Sequence, residues 1–131
     1  MIKLSKKGNY GLKAISFLAS KKGILVKISD ISKELKISET FLRRIINDFE
    51  KADLLKTIKG RNGGVIFEKE LKNISLYDIF VSMKEDLSIV NCTSGIFCEN
   101  QQKCITTVVL NSLQKGFNSL LKIHTLDKII R

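Results

Sequence analysis

Residues 28–52 read Ile28-Ser-Asp-Ile-Ser-Lys-Glu-Leu-Lys-Ile-Ser38-Glu-Thr-Phe-Leu-Arg-Arg-Ile-Ile-Asn-Asp-Phe-Glu-Lys-Ala52, and this stretch decides the fold. Ile31 and Leu35 lie one helical turn apart, and Ser29 or Asp30 in front of them can cap a short helix. Leu35-Lys-Ile-Ser38 makes a turn, and Ser38 caps a longer helix running to about Ala52. On that second helix Phe41, Leu42, Ile45, Ile46 and Phe49 form an inner face, while Thr40, Arg43, Arg44 and Asn47 fall at i, i+3, i+4 and i+7 on the opposite side. Two helices joined this tightly are a helix-turn-helix candidate. The outer face of the second is cationic near its start, where a recognition helix meets base edges and an arginine can pair bidentately with guanine.

On the N-terminal side, Tyr10, Leu12, Ala14, Ile15, Phe17, Leu18 and Ala19 form a broad apolar pattern, and Lys21-Lys-Gly23 supplies a basic last turn and a glycine stop. A first helix is expected from about Gly8 to Lys22, followed by an extended segment, Ile24-Leu-Val-Lys-Ile28. On the C-terminal side, Leu54-Leu-Lys-Thr-Ile-Lys59 and Val65-Ile-Phe67 bracket Gly60-Arg-Asn-Gly-Gly64, the pattern of a two-stranded hairpin with a basic tip. A hairpin in that place is the wing of a winged helix, with Lys59 and Arg61 positioned for phosphates or the minor groove. The glycines do not form a nucleotide loop, because G-x-x-x-x-G-K-[ST] is absent.

Charge agrees with this order of elements. Lys and Arg number 23 against 13 Asp and Glu, a formal net charge of +10, which favours polyanionic partners. At 131 residues the chain can bury a core without disulfides. The basic N-terminus is followed by no apolar h-region, and no apolar run approaches the length of a membrane span, so a cytoplasmic protein with no membrane partner is expected.

Beyond the wing, Ser75 and Asp78 form a Ser-x-x-Asp cap for a helix carrying Leu76, Ile79, Phe80 and Met83. Next come the three cysteines, Cys92, Cys98 and Cys104, spaced C-x5-C-x5-C in a polar stretch that contains Gly95. Residues six apart point to nearly opposite faces of a helix, so convergence of the sulfurs requires a loop. An odd cysteine count in a reducing compartment argues against a disulfide framework and leaves metal binding, redox sensing or simple packing. Zinc favours short cysteine pairs, which are lacking; iron–sulfur ligation with one non-cysteine ligand is compatible with the inventory. After Cys104, Ile105, Val108, Val109, Leu113, Phe117, Leu120 and Leu121 recur at mostly helical spacing, and Thr125 caps a last short helix with Leu126, Ile129 and Ile130. The long helix is expected to pack on a partner subunit. A twofold dimer would then offer paired recognition helices to half-sites about 34 Å apart on a palindromic operator.

Taken together, the chain resembles the IscR/NsrR/RirA regulators, winged-helix transcription factors that typically dimerise and often carry an iron–sulfur cluster. The resemblance spans nearly the whole chain. It rests on Lys7-Gly-Asn-Tyr10, Ile28-Ser-Asp-Ile-Ser32, Ile37-Ser-Glu-Thr-Phe-Leu42, Lys59-Gly-Arg-Asn-Gly-Gly64, Ser75-Leu-Tyr-Asp-Ile79 and the cysteine spacing. It implies that Cys92, Cys98 and Cys104 ligate a cluster and that Ser38, Thr40, Arg43, Arg44, Lys59 and Arg61 contact DNA. The fourth ligand departs from the family. An IscR-like histidine is replaced by Thr107 and an NsrR-like aspartate by Asn9, both poor iron ligands. Glu99, His124 or an exogenous group remain, and loss of the histidine favours [4Fe–4S] over [2Fe–2S].

The expected architecture is mainly α with a small β-hairpin: a winged helix-turn-helix domain over 1–87, a cysteine cluster-binding loop over 88–104, and a dimerisation helix with a short terminal helix over 105–131. The expected function is a DNA-binding regulator, a repressor, that senses redox state, nitric oxide, iron or cluster status. Two other classes stand beside it: a cluster-free winged-helix regulator controlled by thiol chemistry or a protein partner, as in CymR-like relatives, and an electron-transfer or cluster-carrier protein. One histidine and no substrate motif offer nothing for an enzyme.

Overall fold

The computed structural model describes residues 4–88 and 106–130. Cys92, Cys98, Cys104 and Glu99 lie outside the described residues. The elements run α1 (Lys6–Ser20), α2 (Ile28–Leu35), α3 (Glu39–Lys51), β1 (Lys56–Ile58), β2 (Gly64–Ile66), a single 3-10 turn (Leu71–Asn73), α4 (Leu76–Ser82), α5 (Thr106–Ile123) and α6 (Leu126–Ile129). The fold is mainly helical with one two-stranded antiparallel hairpin, as expected.

α1 starts two residues before the expected Gly8, because the Ser5 hydroxyl accepts the Gly8 N–H at 3.1 Å and closes the first turn earlier. α2 starts at Ile28, which puts Ser29 and Asp30 inside its first turn; neither is the cap. The reason is tertiary. Val26 pairs with Val65 beside the hairpin, so the chain is free to turn into a helix only after Lys27. Asp30 then serves the positive end of the helix dipole. Lys36, in the left-handed region at φ 56°, ends α2 and forms the tight corner; Ser32 holds it, its hydroxyl donating to the Ile37 carbonyl at 2.5 Å. Ser38 caps α3, accepting from Phe41 N–H at 3.2 Å.

The core is one cluster. Ile15 and Leu18 of α1, Ile31 of α2, Leu42, Ile45 and Phe49 of α3, Val65 and Phe67 after the hairpin turn, Ile79 of α4 and Leu126 of α6 are all essentially inaccessible. Ser75 and Asp78 form the expected reciprocal capping box at the start of α4. α5 packs along α4, where Lys122 Nζ lies 4.7 Å from the Tyr77 ring centroid. The chain then folds back. His124 carbonyl accepts Leu76 N–H at 2.8 Å and Leu126 N–H donates to the Ile74 carbonyl at 2.9 Å, so α6 is anchored in the body. No helix among the described residues is long and apolar enough to cross a membrane.

Candidate nucleic-acid interface

The hairpin pairs Lys56 with Ile66, Thr57 with Val65 and Ile58 with Gly64, which is shorter than the sequence pattern implied because Leu55 is drawn into the core. Its tip turns at Gly60, whose φ of 110° is open to glycine without strain, and Gly63 N–H donates to the Gly60 carbonyl at 3.0 Å. Gly63 and Gly64 are required for a different reason. A Cβ on Gly63 would press into the Ile58 carbonyl oxygen, and one on Gly64 into the Val26 carbonyl oxygen. The glycines therefore let three backbone segments lie in close register, and that register aims the tip.

Between α3, the hairpin and the start of α2 lies a cleft of about 450 Å³, lined by Lys27, Ser29, Glu39, Arg43, Asn47, Glu50, Thr57 and residues of the tip. Glu50 fastens the hairpin to α3, its carboxylate accepting the Thr57 hydroxyl at 2.8 Å. Some cations on these and neighbouring elements are paired and others are not. Lys56, Lys69 and Lys22 are paired with Glu68, Asp53 and Glu70. Arg44, Lys59 and Arg61 are exposed and make no ion pair among the described residues. These three leave uncompensated positive charge on α3 and the hairpin tip, as a phosphate-facing surface requires.

Of the residues singled out in the sequence, the fold brings Arg43, Lys59 and Arg61 together around the cleft. Ser38, Thr40 and Arg44 lie exposed on or beside α3 without lining it. Lys27, Ser29, Glu39 and Thr57 were not singled out, because their convergence depends on α2 and the hairpin meeting α3. The only usable signal was that Glu39 and Arg43 stand four apart, an arrangement that predicts a helical ion pair; it is present, with Nη2 to Oε1 at 2.7 Å.

The candidate fourth ligands separate widely. Thr107 is half-buried at the start of α5, three residues after Cys104 in sequence, whereas His124 is exposed just past its end. A helix of 18 residues puts about 27 Å between its two ends at 1.5 Å per residue. His124 is therefore remote from the start of α5 within one chain. Asn9 is exposed on α1, one turn from Ser5, whose N–H and hydroxyl both donate to Glu85 at 2.9 and 2.6 Å. That contact docks the α1 N-terminus on the segment that enters the cysteine stretch. There Asp86 accepts Ser88 N–H and hydroxyl, which hold its carboxyl below the usual carboxylate range. Among the described residues no group of three or more His, Cys, Asp or Glu could hold a metal.

Comparison with known proteins bears on this surface. Residues 4–131 match the family described as Rrf2, iron-dependent transcriptional regulator. The chain is 31% identical over 132 residues to the HTH-type transcriptional regulator NsrR of Bacillus licheniformis, covering 98% of this chain and 92% of that protein. Among solved structures, CymR, the global cysteine regulator of B. subtilis, is similar with a TM-score of 0.80 at 25% identity, covering 99% of this chain and 97% of that one. IscR of T. potens is similar with a TM-score of 0.76 at 28% identity, covering 98% and 85%.

Proposed function

Because the chain belongs to the Rrf2 family of winged-helix transcriptional regulators, we propose that it is a homodimeric repressor that reads a palindromic operator with α3 and the hairpin and senses redox state, nitric oxide, iron or cluster status through an iron–sulfur cluster. The observation that carries the DNA reading is the placement of Arg44, Lys59 and Arg61, exposed and without an ion pair among the described residues, on the helix and wing that flank one cleft. Arg43 faces bases; Ser38, Thr40 and Arg44 serve the backbone beside it. Lys59→Ala weakens binding to all duplexes alike and lowers the slope of log affinity against log salt by about 1, read from titrations at several salt concentrations. An unchanged slope would remove Lys59 from the interface.

Dimerisation is supported by α5. Val109, Leu113, Gly116, Leu120 and Ile123 follow one another at spacings of four and three, and the four large residues are each more than half exposed. That is a heptad seam on one face of a helix whose other face, with Phe117 and Leu121, packs into the body. Gly116 has open space around it and permits close approach of a second helix. Leu120→Asp places a charge in the middle of the seam and is expected to convert the dimer to monomer at micromolar concentration, measured by sedimentation. Its affinity for a palindromic duplex falls with the loss of the second half-site.

Three thiolates suit iron–sulfur ligation, and Cys92, Cys98 and Cys104 would hold the group. A neutral Thr107 in place of histidine favours [4Fe–4S] over [2Fe–2S]. When bound, the cluster supplies a centre that reacts with oxidants and nitric oxide. What the chain contributes is a short route to the DNA surface. Glu85 grips the α1 N-terminus, Gln114 Nε2 donates to the Leu87 carbonyl at 2.9 Å, and Lys7 on α1 pairs with Asp48 on α3 at 2.5 Å. A change in the segment before Cys92 therefore bears on α1 and α5 together, and through α1 on α3. The likeness to CymR supports a second reading, in which the same fold is governed by cysteine thiol chemistry without a cluster. Iron and acid-labile sulfide assayed on anaerobically purified protein separate the two.

A further inference from the structure

We propose that Glu39 is a specificity-determining residue of the DNA interface, which orients Arg43 toward one guanine and itself accepts from the exocyclic amine of a neighbouring cytosine. The inference rests on the DNA-binding reading and adds to it a role for a carboxylate in a basic cleft.

Glu39 is the first residue of α3, directly after the Ser38 cap, and it lines the cleft with Arg43 and Asn47. A protein with a net charge of +10 that places a carboxylate at the leading end of its recognition helix weakens its own attraction for phosphates. As a fold stabiliser the residue contributes modestly, through the positive end of the α3 dipole and a pair with Arg43 that is exposed on both sides and spans one helical turn. The geometry points instead to recognition. Oε1 accepts from Arg43 Nη2 at 2.7 Å, which restricts a long, otherwise mobile side chain. Oε2 has no hydrogen-bond partner among the described residues. One guanidinium nitrogen is thereby engaged, leaving donors of the planar fork for the O6 and N7 of guanine. The second carboxylate oxygen is left to accept from cytosine N4, the one base-edge donor that a glutamate matches in the major groove of a G·C pair.

Discrimination comes from both signs of interaction. On a duplex with the right bases, both partners of the pair are satisfied. On a duplex that puts guanine or thymine at that position, the carboxylate meets acceptors, and the duplex is penalised. Arg44, adjacent in sequence but outside the cleft and without an ion pair among the described residues, has no such filter and contacts the backbone without sequence preference.

The test selects preferred duplexes from a random-sequence pool with the wild-type protein, Glu39→Gln, Arg43→Lys and the double variant. Both substitutions are on the exposed face of α3, and circular dichroism checks that the helix content is retained. The wild type is expected to select a motif containing one tightly constrained C and G per half-site. Glu39→Gln flattens that position, lowers discrimination there by about fivefold or more, and binds random duplex more tightly. Arg43→Lys keeps the charge, loses the fork and flattens the same position. In the double variant no further discrimination is lost, as expected for residues that act as a unit. Retention of the full wild-type motif by Glu39→Gln overturns the role of Glu39 while leaving the DNA-binding reading intact. Failure of the wild type to select any motif overturns that reading itself.

Discussion

Replacing Phe49 with alanine is expected to destabilise the protein by about 3–5 kcal/mol, the range for removing a fully buried phenylalanine. Phe49 is wholly inaccessible and stands where α3 meets α1 and α4. Above it, Gly11 on α1 has no Cβ, and that space is taken by Met83 at the end of α4, with the Phe49 ring 3.4 Å from where the missing Cβ would be. Met83 is itself buried, so the ring cannot be replaced by water from outside, and the cavity left by truncation stays largely empty. Against a typical total of about 5–15 kcal/mol, the loss is a large fraction of the stability. In urea the midpoint should fall with little change in slope, and the melting temperature should drop by about 10–20 °C. A loss below about 1 kcal/mol would show that Phe49 is not at the junction of the three helices. Phe49→Leu, which retains most of the volume, is expected to lose far less.

The second large effect concerns the proposed iron–sulfur cluster. On the proposed ligand set, Cys98→Ala removes one of three thiolates and is expected to abolish the visible absorbance of anaerobically purified protein and its iron and sulfide content. The melting curve of the cluster-free variant is expected to overlay that of cluster-free wild type. His124→Ala serves as the control. Its side chain is exposed at the far end of α5 and only its backbone carbonyl is used, so absorbance should be unaffected. Full cluster occupancy in Cys98→Ala would overturn the ligand assignment. Absence of iron and sulfide from the wild type would favour the thiol-regulated reading.

Much of the fold was legible because it is written in short-range patterns. The inner face of α3, the Ser38 cap and the Ser75–Asp78 box each involve residues within a turn or two of one another, and local hydrogen bonds and helical period dictate them. The hairpin was legible from its glycines, though not its length, since burial of Leu55 shortens the strand. What misled was competition from distant partners. Ser29 and Asp30 are good caps by type, yet the pairing of Val26 with Val65, thirty-nine residues away, sets where α2 begins. The cationic residues of the interface could be named in advance. That Arg43 shares a cleft with Lys27, Ser29 and Thr57 could not.

By itself, then, the chain's amino-acid order determined the helix-turn-helix, the wing, the family and the identity of the residues that carry charge and thiols, because periodicity, caps and motif spacing are properties of neighbours. Only the tertiary structure decided which of those charges remain uncompensated, that α6 returns to anchor α5 while one heptad seam stays uncovered, and that Glu85 ties α1 to the entry of the cysteine stretch. The physical reason is the same in each case. An ion pair, a buried face or a backbone bridge between residues far apart in the chain exists only after the core has brought their elements together, and no local pattern encodes which partner will arrive.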